Sequence, residues 1–168
     1  MKESKPEVWL RGPLPNIPLL LQPPAHALIQ SSEEIERYLA DFPDDKLWTK
    51  TVGRASVGFH LQHITGVLDR MMTYAKSEQL SELQFKYLAK EGKSNEDIST
   101  NELVSAFQHK VEDALVYFKT LSESTLKESR TVGRKKLPST TLGILFHAAE
   151  HSQRHVGQLL VTKSFFNS

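Results

Sequence analysis

The stretch Leu145-Phe146-His147-Ala148-Ala149-Glu150-His151-Ser152-Gln153-Arg154-His155-Val156-Gly157-Gln158 sets three histidines four residues apart in a proline-free run with apolar residues at helical spacing. Four helical residues turn the chain through about 400°, so His151 and His155 lie about 40° apart around the axis and about 6 Å apart along it. That is close enough to chelate one ion. The apolar stripe Leu142, Leu145, Ala148, Ala149, Ser152, Val156 and Leu159 runs beside these rings and turns them toward the interior. An unpaired polar ring costs about 1–3 kcal/mol to bury, and one shared cation relieves several rings at once. Ala148, Ala149 and Ser152 leave room for it, and a third ligand must come from another helix.

The segment His60-Leu61-Gln62-His63 supplies that candidate. Three residues separate its two rings by about 300° in projection, so they cannot be equally placed, and His63 is the preferred ligand. His147 stands one turn before His151 and about 80° from His155, which suits a supporting or channel position better than a ligand; His60 is the other candidate for such a supporting place. Glu150 is about 100° from its neighbour His151 and reads as a solvated carboxylate. The metal triad is then His63, His151 and His155. Three protein ligands leave one position open, the pattern of a catalytic site, where a water or an external thiol could be activated. The rival reading is a non-catalytic helical protein whose metal is structural or sensory, with a fourth protein ligand closing the shell.

The rest of the chain reads as helices around these two segments. Six of the eight prolines fall within the first 24 residues and deny that stretch a helix, so residues 1–23 are expected as an extended arm whose apolar members pack on the body. Residues 24–168 are expected as one helical domain. Leu28, Ile29, Ile35 and Leu39 space a first helix over 24–41, opened by Pro23 and Pro24. Ser56 caps a second, with a stripe through Leu61, Ile64, Val67, Leu68, Met71, Met72 and Ala75. Residues 79–98 read as a short helix and a polar connection. Ser99 and Glu102 form the capping box of a third long helix buried through Leu103, Phe107, Val111, Ala114 and Phe118. A polar crossover at 122–138 precedes a fourth helix from about Ser139 to Lys163. The pattern predicts an all-α four-helix bundle with no convincing strand, and the two long connections argue against a simple up-down-up-down order.

Composition narrows the chemistry. The 168 residues include no cysteine, which removes disulfides, iron–sulfur clusters and any protein thiol nucleophile and leaves His, Asp and Glu as metal ligands. Zinc, nickel, iron or copper would suit three imidazoles. A net charge of +1 supplies no overall field for nucleic acid. One basic run, Lys127 to Lys136, carries five cations against one carboxylate; without interleaved aromatics it reads as a solvated loop rather than a nucleic-acid site, although it could attract an acidic thiol cofactor. No apolar run approaches the ~20 residues that span a bilayer, and the amino terminus does not look like a signal, so a cytoplasmic location without membrane partners is expected. The Glu-x-x-His motif of di-iron bundles is absent.

Ser56-Val57-Gly58-Phe59-His60-Leu61-Gln62-His63-Ile64 and the pattern HxxxHxGQ at His151 to Gln158 resemble the DinB-like, or YfiT-like, family of metal-binding four-helix bundles. The resemblance extends along the whole chain in helix order. In that family one histidine seven residues after a helix-starting serine and the two histidines of HxxxHxGQ bind a divalent metal, which implies His63, His151 and His155 here. It further implies an up-down-down-up topology, a homodimer, and a metal-dependent transferase, isomerase or hydrolase acting on a small molecule, in some members with a low-molecular-weight thiol such as bacillithiol, mycothiol or glutathione.

Overall fold

In the computed structural model, which describes residues 5–166, helix α1 spans Gln22–Leu39. Pro23 and Pro24 occupy its first positions, where a missing N–H costs nothing. The helix starts two residues before the expected point because the Gln22 side chain ties the preceding chain down, donating to the carbonyls of Leu14 and Ile17 and accepting from the Leu14 amide at 2.7–3.0 Å. The expected arm at 1–23 is not extended throughout: its first four residues lie outside the described ones, it forms two 3-10 turns, Val8–Arg11 and Leu19–Leu21, and its last two residues already belong to α1. Val8, Ile17 and Leu21 are buried, whereas Trp9, Leu10 and Leu19 point outward. Arg11 pairs in a fork with Glu33 of α1 at 2.6 and 2.7 Å.

Helix α2, Val57–Ala75, opens at Ser56, whose hydroxyl accepts from the Phe59 amide. The short α3, Glu82–Leu88, and the long α4, Thr100–Phe118, each begin with a complete capping box, at Ser81/Gln84 and Ser99/Glu102. A single turn, α5 at Glu123–Leu126, leads into strands β1, Ser129–Val132, and β2, Leu137–Thr140. Thr140 then caps α6, Thr141–Ser164. Packing pairs α1 with α4 and α6, and α2 with the same two helices. The fully buried Leu28, Ile35, Leu61, Leu68, Phe107, Phe118, Ile144 and Leu159 meet between them.

The fold is mostly helical rather than all-α, because part of the expected polar crossover is an antiparallel hairpin. Ser129 pairs with Thr140 and Val132 with Leu137. Pro138 disguises β2 in the sequence, yet a two-stranded ribbon has an outer edge on which a proline breaks no ladder bond. Such a ribbon is marginal alone. Here it is fastened by Arg130, whose Nε donates to the Ala75 carbonyl at the end of α2 at 2.7 Å. Among the described residues, no helix is long and apolar enough to cross a membrane.

Candidate metal centre

His63 lies beside the buried stripe of α2 and His151 and His155 lie beside that of α6, all three partly buried where the two helices pack together. One ring nitrogen from each of these three histidines lies within 4.8 Å of the others. His63 Nε2 and His151 Nε2 are 3.0 Å apart. The edge of a tetrahedral shell with bonds of about 2.0–2.1 Å measures about 3.3 Å, so the spacing fits one ion after a small opening. The Phe59 ring stacks on His63 with centroids 5.1 Å apart and planes within 12°, fixing that imidazole on one face.

The rings are electrically ready to donate lone pairs. Burial, reinforced by the neighbouring imidazoles, pushes His151 and His60 down to about 4, and burial with the charges of His63 and Arg154 does the same for His155. All three are therefore neutral near pH 7. The Nδ1 atom of His151 is buried without a hydrogen-bond partner, which leaves that ring less satisfied than a closed polar network would. A cation is the ligand class that this donor set fits.

The two supporting candidates divide. His60 is 4% exposed and its Nδ1 lies 3.0 Å from His155 Nδ1, so it touches the back of a site residue. His147 lies on the rim, half exposed, and donates from Nδ1 to Glu150 at 2.7 Å. Glu150 is less free than the sequence suggested: burial works to raise its carboxyl, but hydrogen bonds from Arg154 and His147 outweigh it and hold the group below the ordinary range. His147, Glu150 and His151 form a second group of closely spaced ligand atoms.

Sequence reasoning missed Glu91. It lies after α3, 28 residues beyond His63 and outside any periodic pattern, and it accepts from His63 Nδ1 at 2.7 Å through one carboxylate oxygen. Its other oxygen accepts from Arg70 Nη1 of α2 at 2.7 Å. Two residues of α2 signalled it. Arg70 is a charged side chain seven residues beyond His63 on a buried face, and Gly66, between them, is a glycine inside a helix, which often marks a close approach. A Cβ added at Gly66 would collide with Glu91 Oε1 and lie 2.7 Å from Arg70 Nη1.

With the fold and the histidine cluster in view, the model of the DinB superfamily matches residues 27–159. The chain belongs to the DinB superfamily. This match takes in α2, α4 and most of α1 and α6 of the DinB chain, including all five histidines of the two clusters. A crystal structure of a protein from Streptococcus pneumoniae has a similar fold, with a TM-score of 0.63 over 85% of this chain and 87% of that one at 12% identity. No curated protein matches.

Proposed function

We propose that this DinB protein binds one divalent cation through His63, His151 and His155 and uses it to act on a small electrophilic molecule, as a thiol-dependent transferase or isomerase or as a hydrolase. The observation that carries the reading is the convergence of three ring nitrogens from two helices within 4.8 Å. Among the described residues, no fourth His, Asp or Glu atom joins that group, which favours an open coordination position over a closed structural shell. When bound, a zinc, nickel or iron ion would supply the Lewis acidity that makes a water or a low-molecular-weight thiol nucleophilic near neutral pH.

The protein's own part is to hold the donor atoms. Phe59 fixes the plane of His63, and the His151 and His155 rings keep their mutual position through the rigid turn of α6 between them. Burial keeps the His151 and His155 rings unprotonated, so no proton has to leave either before a cation binds at neutral pH. The surrounding architecture is read as a four-helix bundle of up-down-down-up order preceded by a proline-rich arm that ends where α1 begins at Gln22, in a cytoplasmic homodimer. Elemental analysis of protein purified without a metal-loaded resin tests the reading: about one divalent ion per chain in the wild type and none in His151→Ala, with the helical circular dichroism retained. Full metal content in His151→Ala would overturn it.

A further inference from the structure

We infer that Glu91, held by Arg70, is a positioning residue that fixes His63 in the tautomer able to bind a cation; the cation part of this inference rests on the function proposed above, whereas the tautomer part does not. Glu91 is only 5% exposed at its side chain, and both of its oxygens are used, one by Arg70 Nη1 and one by His63 Nδ1, each at 2.7 Å. A guanidinium can only donate, and the carboxylate it holds can only accept. The proton between Glu91 and His63 therefore belongs to Nδ1 of the imidazole. This leaves Nε2 of His63 with its lone pair, and Nε2 is the atom that faces His151. Carboxylates placed behind a metal-binding histidine act in this way generally, setting the tautomer and the ring orientation.

Three further contacts make the device rigid. The carboxylate lies in space that only a glycine at position 66 leaves open. The neighbouring Gly92 amide donates to Gln62 Oε1 at 2.9 Å, and the Tyr87 hydroxyl donates to the Gln62 carbonyl at 3.1 Å. The segment bearing Glu91 is thus fastened to α2 on either side of the carboxylate.

The decisive substitution is Glu91→Gln, which keeps the shape and reverses one bond. Arg70 still demands an acceptor, so the amide oxygen turns to Arg70 and the amide NH2 faces His63 Nδ1, which must then accept. His63 is expected to change from the Nδ1–H to the Nε2–H form. In the full-length, metal-free protein, long-range proton–nitrogen spectra of the imidazoles read this change directly, with no metal involved. Titration with zinc alone should then show an affinity about 10- to 100-fold lower in Glu91→Gln than in the wild type, with helical circular dichroism unchanged. Gly66→Ala, which displaces the same carboxylate by a methyl group, should lower zinc affinity in the same direction. An unchanged His63 tautomer in Glu91→Gln overturns the inference even if zinc binding weakens. A changed tautomer with no zinc uptake by the wild type would sustain the positioning role and instead defeat the proposed cation.

Discussion

Two imidazole–carboxylate pairs flank the same cluster, each closed by a bond of 2.7 Å, and they are built for different ends. On the α2 side, His63 donates to a Glu91 carboxylate that is 5% exposed and locked by Arg70. On the α6 side, His147, at 47% side-chain exposure, donates to Glu150, which is 33% exposed and takes both of its remaining bonds from Arg154 one turn on. A surface pair of this kind contributes about 0–1 kcal/mol and is screened by salt. The same bond made in the interior cannot be exchanged for water, so it fixes a ring. Bond length does not separate the two pairs; burial of the carboxylate does.

The largest effects expected follow from that contrast. His63→Ala should abolish stoichiometric zinc uptake, as His151→Ala should, while His147→Ala should leave the zinc dissociation constant within about threefold, since loss of a partly exposed contact costs under about 1 kcal/mol. Isothermal titration of the three variants at one ionic strength decides the matter. Comparable losses in His63→Ala and His147→Ala would erase the distinction between the two sides and turn attention to the group formed by His147, Glu150 and His151.

The unequal legibility of the two sides has a physical cause. Elements whose pattern repeats within a helix were readable: the Ser56 cap, the Ser99/Glu102 box and the four long helices appear within a few residues of their expected bounds. His63, His151 and His155, chosen from helical spacing and resemblance, come together in space. Glu91 does not repeat with anything, because its meeting with His63 depends on how the segment after α3 folds back over α2. The hairpin at 129–140 escaped for a related reason. Its strands are four residues each, carry charges at the turn, and gain their hold from tertiary contacts, Val132 against the core and Arg130 on the end of α2. Contacts set by tertiary return leave little local trace.

Acid should act on the buried rings next. The folded pKa of His60, His151 and His155 is lowered by burial to about 4 from an ordinary 6.5. For a base depressed in the fold, the unfolded chain takes up protons first as pH falls, so stability is intact above about 6.5 and declines toward 4. Thermal melting of the metal-free protein should therefore be level from pH 8 to 7 and fall progressively from 6.5 to 5, a window still above most carboxylate titration. His60→Leu, which removes the most buried of the three rings, should make that fall shallower. A melting temperature unchanged from pH 7 to 5 would show that these rings titrate like exposed ones and that water reaches the space between α2 and α6.

The smallest expected effect compares two glycines. Gly66 on α2 is hemmed in by Glu91, Arg70 and Tyr87, whereas Gly157 on α6, inside the HxGQ pattern, has nothing within 4 Å of an added Cβ. Gly157 also has no positive φ, so an alanine there meets neither steric nor backbone strain. Glycine in a helix interior is about 0.8–1.0 kcal/mol less favourable than alanine, and in a chain of this size about 1 kcal/mol moves the melting temperature by about 2–4 °C. Gly157→Ala should therefore melt about 2–4 °C higher than the wild type in differential scanning calorimetry and keep its zinc affinity, while Gly66→Ala melts lower. A fall for Gly157→Ala would require something to cover that open face of α6, and sedimentation of the variant against the wild type would then show whether the cover is a second copy of the chain, because a wild-type dimer would then dissociate in the variant.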